Sequence, residues 1–140
     1  MNEASNFVAG EKGWKDTNKS DLLNDPPYTP GGRSTPLYEK TMRMDAVHYG
    51  GYEEYYVHSA FGFLESYATY KYLKTLSNLT FILSRSTFYG SGQFAAHWTG
   101  DNRANYEYLY IAGPGLMNFN IFGIPLVRPD ICGFGSNSKE

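Results

Sequence analysis

The chain has 140 residues and a formal net charge of −2; this length suits one modest domain or part of one, and so small a charge gives no reason to expect nucleic acid or an anionic membrane as partner. Its single cysteine excludes an internal disulfide, and no His and Cys residues stand at ligand spacing, so we predict no metal and no cofactor. No apolar run reaches the ~18 residues of a membrane span, and none near the start resembles a signal peptide.

Residues 8–55 form the first distinct stretch of the chain. Gly, Pro, Asn, Asp and Ser recur there, and no period of two or 3.6 residues persists. Loops longer than ~12–15 residues are uncommon in compact domains unless they are functional. The sequence therefore predicts an active-site loop or insertion region over residues 1–57 and regular β/α units over 58–140.

Regular structure is predicted from Ser59 onward. Apolar residues recur at three- and four-residue steps as far as Leu76, which predicts an amphipathic helix of about five turns with Ser59 as its N-cap. Further elements follow in order: short buried strands at 80–84 and 95–99, a helix at 103–110 that Gly113-Pro114-Gly115 ends, and an apolar strand at 124–127. This order predicts the α/β fold class.

Charged and aromatic residues cluster where the predicted strands give way to loops, which is where α/β folds build their sites. Asp101 fits a general acid, but an Asp before a helix equally fits a cap. Trp98 fits an apolar wall beside Asp101 or ordinary core packing. Arg85 and Asp130 fit ligand binding or a surface ion pair. The pattern Gly90-Ser-Gly-Gln-Phe-Ala95 matches a dinucleotide-binding motif, but no helix opens at its end and no acid follows about 20 residues later, so we reject that reading.

Two motifs resemble glycoside hydrolase family 31, the α-glucosidases and their relatives. Arg85-Ser-Thr-Phe with His97-Trp-Thr-Gly-Asp-Asn102 is similar to the acid/base region of that family. Met1-Asn-Glu-Ala-Ser-Asn-Phe7 is similar to its nucleophile motif, in which the nucleophilic Asp directly precedes the Met. Further matches follow in chain order: Pro26-Pro27-Tyr28, Ala46-Val47-His48-Tyr49-Gly50, His58 with Gly62, Phe122-Gly123-Ile124-Pro125, and Asp130-Ile131-Cys132-Gly133-Phe134.

The resemblance implies a partial (β/α)8 TIM barrel that covers roughly the middle-to-late strands, since a complete barrel typically needs ~250 residues. It implies a retaining hydrolase that cleaves terminal α-linked glucose from oligosaccharides, with Asp101 as general acid/base and the nucleophilic Asp just before Met1. The isolated chain is then expected to be inactive. The implied substrate-binding residues are Met1, Arg85, Trp98, Asp130 and Phe134. The alternative is a non-catalytic relative that binds carbohydrate or another protein.

The remaining implied roles are structural. Asp130 could orient Arg85. Asn2, Glu3 and Asn6 would brace their loop, and the histidines His48, His58 and His97 would serve as structural hydrogen-bonding groups. Pro129 departs from the pattern of the family and would remove a hydrogen-bond donor from a strand, which puts the position of Asp130 in question. Two sequons, at Asn18 and Asn78, weakly favour a secretory or lysosomal parent, and the oligomeric state is not indicated.

Overall fold

The computed structural model describes residues 2–14, 22–30 and 35–135. These residues divide into two compact units, one made of residues 2–3 and 62–135 and the other of residues 4–61. The helices are α1 (Glu54–Val57), α2 (Phe61–Leu76) and α3 (Tyr106–Ile121), with single 3-10 turns at His58–Ala60 and Ser91–Gln93. Among the described residues, no helix is both long and apolar enough to cross a lipid bilayer.

A parallel sheet lies at the centre of the first unit. Its strands are β1 (Leu83–Ser84), β2 (Ala96–Trp98) and β3 (Val127–Arg128), in the spatial order β1-β2-β3. Ser84 is opposite His97, and His97 is in turn opposite Val127. The predicted α/β class is confirmed, and β1 and β2 lie within the predicted strands although they are shorter. Strand β3 overlaps the predicted strand at 124–127 only at Val127. Because all three strands are parallel, their carboxyl ends meet at one edge of the sheet.

Helix α2 confirms the first predicted helix but packs through a different face. Three aromatic residues at helical spacing, Phe63, Tyr67 and Tyr70, surround the ring of Phe94 with centroid distances of 5.2, 5.5 and 5.9 Å. The apolar stripe expected from the sequence is exposed instead, including Leu64, Tyr72 and Leu76. The expected N-cap is also wrong, because Ser59 lies within the 3-10 turn that precedes the helix.

Helix α3 begins and ends later than predicted. The side chain of Asn105 caps it by accepting a hydrogen bond from the backbone N–H of Tyr108 at 2.9 Å. The helix continues through Gly113-Pro114-Gly115, so the predicted break there is wrong. It ends before Gly123, whose φ of 80° is the left-handed conformation that commonly stops helices. Packing in the last turns outweighs the local preference for a break, since Phe119 stacks on His97 with ring centroids 3.9 Å apart.

The buried apolar core of the first unit is small. It contains Ala95, Ala96 and Ile124, all next to or within the central strands. Large apolar side chains just before β1 and β3 and on α3 stay exposed, among them Phe81, Leu126, Leu109 and Ile121. Because β1 and β3 are both edge strands, the sheet buries apolar side chains chiefly around β2.

The second unit is largely irregular, as predicted for this part of the chain. Isolated bridges pair Ser5 with Thr41 and Val47 with Glu53, and α1 is a single turn. The carboxylate of Glu54 is fully buried, and its two oxygens lie 2.6 Å from His48 Nε2 and 2.6 Å from His58 Nδ1. The predicted structural role of these two histidines is therefore confirmed.

Candidate active site

The carboxyl edge of the sheet brings four predicted site residues together. Arg85 directly follows β1, and Trp98 is the last residue of β2. Asp101 comes three residues after Trp98, and Asp130 comes two residues after the end of β3. Gly100 has a φ of +87° at the turn before Asp101, and a Cβ there would lie 3.0 Å from Arg85 Cδ. The chain thus passes close to Arg85 where only glycine fits without strain.

Arg85 is held on three sides. Its Nε donates to Glu3 Oε1 at 2.5 Å, and its Nη1 faces Asp101 Oδ1 at 3.7 Å. The guanidinium carbon lies 5.4 Å from the centroid of the Trp98 ring, which is within the range of a cation–π contact. The hydrogen bond that Arg85 donates to Glu3 raises the pKa of Arg85, the charges of Glu3 and Asp101 act in the same direction, and burial opposes them. Arg85 is therefore a fixed positive charge at this edge.

Asp130 is hydrogen-bonded to Trp98 and Asn102, and not to Arg85 as the sequence suggested. Its Oδ1 accepts from the indole Nε1 of Trp98 at 2.9 Å, and its backbone N–H donates to Asn102 Oδ1 at 3.0 Å. The prediction that Asp130 orients Arg85 is wrong, because the bonded partner of Arg85 is Glu3. The second carboxylate oxygen of Asp130, Oδ2, is buried and has no hydrogen-bond partner among the described residues.

Contrary to the expectation from the sequence, Pro129 does not disturb the sheet. Strand β3 ends at Arg128, so the proline lies outside the ladder and removes no donor from it. The last backbone hydrogen bond between these strands runs from Thr99 N to Arg128 O at 3.2 Å. Asp130 is therefore anchored in spite of the proline before it.

Asp101 is the most accessible carboxylate of this cluster. Its side chain is 49% exposed, and among the described residues none donates a hydrogen bond to it. The 3.7 Å separation from Arg85 Nη1 is longer than a charge-assisted hydrogen bond of about 2.7–2.9 Å. The alternative reading of Asp101 as a helix cap is wrong, since Asn105 caps α3. Both carboxylate oxygens of Asp101 are thus available to a ligand.

The loops that follow β2 and β3 are joined along their backbones. Phe134 N donates to Asn102 O at 2.7 Å, and Ala104 N donates to Gly135 O at 2.8 Å. The side chain of Phe134 is 70% exposed beside this junction. Met1, the remaining predicted contact, lies outside the described residues. A cleft of about 400 Å³ opens next to Asp130, lined by side chains of α3 and by residues 102–105 and 129–132.

His97 lies beneath this edge, in the middle of β2. It is 5% exposed, and its Nδ1 has no partner among the described residues. Burial lowers the pKa of His97, while hydrogen bonding to the backbone of Ser84 and of Arg85 acts in the opposite direction. Its ring packs on Phe119, so His97 supports the site from below. Within the described part of the chain, no three His, Cys, Asp or Glu side chains converge as metal ligands.

The sequence did not indicate the contacts that two residues of the cluster make. Glu3 was expected only to brace its loop, yet it bonds Arg85 across 82 positions of sequence. Asn102 was part of a motif without a role of its own, yet it holds the backbone of Asp130. The position of Asn102 next to Asp101 could have indicated its role, whereas nothing local to Glu3 indicates which cation it meets.

Comparisons with known proteins agree on one family. The sequence profile of the glycosyl hydrolases family 31 TIM-barrel domain matches residues 1–140. The chain is 46% identical to a probable alpha-glucosidase of Oryza sativa subsp. japonica and 43% identical to alpha-xylosidase 1 of Arabidopsis thaliana, in each case over 100% of this chain. It covers 15% of the first relative and 18% of the second. The crystal structure of a glucosidase II alpha subunit bound to alpha3-Glc2 superposes with a TM-score of 0.65 at 35% identity, covering 82% of this chain and 12% of that one.

Proposed function

The chain belongs to glycosyl hydrolase family 31, and from that membership and the site geometry we propose that it supplies the general acid/base region of a retaining α-glucosidase. The chain spans 15% of the length of the rice relative, and we assign the proposed activity to a longer polypeptide that contains it. In the extended protein, this chain is joined to the flanking sequence of a complete family 31 catalytic domain. Residues 1–57 would form the loop region over its site, and 58–140 would form middle-to-late β/α units of its barrel.

The observation that carries this proposal is the position of Asp101. It is a half-exposed carboxylate at the carboxyl edge of parallel strands, and it faces the fixed charge of Arg85. Hydrolysis of a glycosidic bond requires protonation of a poor leaving-group oxygen while positive charge builds at the anomeric carbon. A carboxyl group that no neighbouring residue occupies can give that proton and take one back.

In the proposed reaction, Asp101 donates its proton to the glycosidic oxygen as the bond from that oxygen to the anomeric carbon breaks. A second carboxylate, the Asp expected before Met1, bonds to the anomeric carbon on the opposite face. Asp101, now ionised, then removes a proton from a water molecule whose oxygen displaces the enzyme carboxylate. Retention requires the two carboxyl groups to lie about 5–5.5 Å apart in the extended protein.

The other residues of the cluster would bind and orient the sugar. The guanidinium of Arg85 presents donors to hydroxyl groups, and Trp98 presents a ring surface beside it. The unpartnered Oδ2 of Asp130 is an acceptor that a sugar hydroxyl would satisfy. Phe134 and Met1 would contribute apolar contacts. The preference for one sugar would depend on the whole enzyme, because an alpha-xylosidase resembles this chain almost as closely as an alpha-glucosidase does.

The test uses the extended protein and its Asp101→Ala variant. We expect the variant to fail on maltose, whose leaving group needs a proton, yet still to be glycosylated by an aryl α-glucoside with a strongly acidic leaving group. Turnover should then stall, because no base activates water. Added azide needs no deprotonation and should restore turnover with formation of α-glucosyl azide.

Two results would remove this assignment. One is cleavage of maltose by the Asp101→Ala variant at the rate of the unchanged protein. The other is a β-glucosyl azide product, which would show that no covalent intermediate with the expected stereochemistry is formed. An extended protein that binds α-glucosides but cleaves none of them would instead support the non-catalytic alternative.

A further inference from the structure

We propose that Glu3 is a positioning residue for the reaction, and that it acts by fixing the guanidinium of Arg85 so that one edge of that group faces Asp101. The catalytic part of this inference rests on the function proposed above. Among the described residues, no hydrogen bond links Glu3 to Asp101. Its effect would pass through Arg85, which touches both carboxylates.

The segment that carries Glu3 is anchored by Asn2, which is 6% exposed. Asn2 Nδ2 lies within hydrogen-bonding distance of Gly62 O at 2.9 Å and of Ser86 O at 2.9 Å, and its Oδ1 accepts from Ser86 N at 3.1 Å. Asn2 thereby links the start of α2 to the residue after Arg85. The approach is close, because a Cβ at Gly62 would lie 2.6 Å from Asn2 O and 2.5 Å from Ser86 Oγ. Glu3 therefore starts from a fixed backbone position.

From that position Glu3 occupies one edge of the guanidinium. Its Oε1 takes the Nε donor of Arg85 at 2.5 Å, which leaves Nη1 directed toward Asp101. The guanidinium carbon also lies over the ring of Trp98, 5.4 Å from its centroid. A free arginine side chain samples many rotamers, and a guanidinium whose Nε is bonded to a fixed carboxylate loses much of that freedom. Glu3 thus selects the orientation in which Arg85 meets both Asp101 and an incoming sugar.

The bond depends on both the charge and the length of the Glu3 side chain. Its second oxygen, Oε2, is buried and has no hydrogen-bond partner among the described residues. In Glu3→Gln, an amide oxygen can still accept from Arg85, but the charge is lost and the amide NH2 takes the place of Oε2 with no acceptor there. In Glu3→Asp, the charge is kept but the side chain is one methylene shorter. Both changes should release Arg85.

The first experiment reads the state of Arg85 without reference to activity. The control is Glu65→Gln, at an exposed position in the second turn of α2. The extended protein, Glu3→Gln and this control are treated with p-hydroxyphenylglyoxal, and modification of Arg85 is followed by peptide mass spectrometry. We expect Arg85 to be modified at least about threefold faster in Glu3→Gln than in the extended protein. The rate in the control should be unchanged. Equal rates in all three proteins would overturn the proposal. If Glu3→Gln does not fold, Glu3→Asp must show the increase.

The second experiment separates action through Arg85 from independent action. Glu3→Gln should lower kcat/KM for an aryl α-glucoside by about tenfold or more when Arg85 is present. In the Arg85→Ala background the same change should have less than about a twofold effect. Equal losses in the two backgrounds would overturn the proposal. If the extended protein cleaves no glycoside, the proposed function fails, while the labelling of Arg85 still decides the role of Glu3.

Discussion

Among the glycines that the structure describes, Gly92 is the one where an added methyl group should have the largest effect. It lies in the 3-10 turn Ser91–Gln93, just before β2, and packs against the segment that leads into β3. A Cβ at Gly92 would be 1.8 Å from Gly123 O, 2.8 Å from Gly123 C and 3.0 Å from Ile124 Cα. All three atoms belong to the backbone, so no flexible side chain can move aside.

The expected cost of Gly92→Ala follows from that overlap. A carbon and a carbonyl oxygen normally approach to about 3.3 Å, so one backbone must retreat by roughly 1.5 Å. Overpacking of this kind typically costs about 1–3 kcal/mol, and we expect the upper end, about 3 kcal/mol, because two backbones are involved. The matched control is Gly115→Ala in α3, where nothing lies within 4 Å of the added Cβ. In a helix interior that change should stabilise by about 0.5–1 kcal/mol.

Hydrogen exchange in the extended protein measures both effects where they arise. The relevant amides are Ala96 N, bonded to Ile82 O at 2.8 Å, and His97 N, bonded to Leu126 O at 2.8 Å. A loss of about 3 kcal/mol in Gly92→Ala should speed their exchange by roughly a hundredfold. Gly115→Ala should leave the same amides unchanged and slow exchange within α3. Unchanged exchange at Ala96 and His97 in Gly92→Ala would refute the packing argument.

Two further predictions concern buried titratable groups. Burial lowers the pKa of His97, so below pH ~6.5 the unfolded chain binds a proton that the folded chain resists. The free energy of unfolding should therefore decrease as the pH is lowered through this range, by up to about 1.4 kcal/mol per pH unit. In His97→Phe that part of the slope should vanish in urea titrations at pH 7 and pH 5, and identical slopes would contradict the prediction. Glu54→Gln should lower the free energy of unfolding by about 2–3 kcal/mol, because a neutral amide replaces the fully buried carboxylate between His48 and His58. The control Glu53→Gln should have little effect, and equal thermal shifts in the two variants would exclude this role of Glu54.

The sequence was sufficient to predict the strand ends and the residues that follow them. Short apolar runs bounded by polar or glycine residues are read directly from the chain, and parallel strands must bring their carboxyl ends to one edge. The positions of Arg85, Trp98 and Asp130 at that edge therefore followed from local patterns. The roles of these residues in a reaction remain predictions.

Partners across the chain could not be predicted in the same way. The bond between Glu3 and Arg85, and that between Trp98 and Asp130, depend on side-chain directions that only the packed structure fixes. The course of α3 shows a second limit. Glycine and proline at 113–115 carry a local preference for a break, but packing of Phe119 in the last turns decides the outcome. Local preference is a weak guide wherever tertiary contacts oppose it.

The backbone junction between the loops after β2 and β3 limits how this region can be engineered. A Cβ at Gly133 would lie 2.4 Å from Ala104 N, and Arg103 pairs with Gly135 as a parallel bridge, so the two loops must keep a fixed relative length. An insertion in either loop would displace Asp101 and Asp130 together. Libraries that aim to change sugar preference should therefore substitute exposed side chains such as Phe134 and leave the lengths of both loops constant.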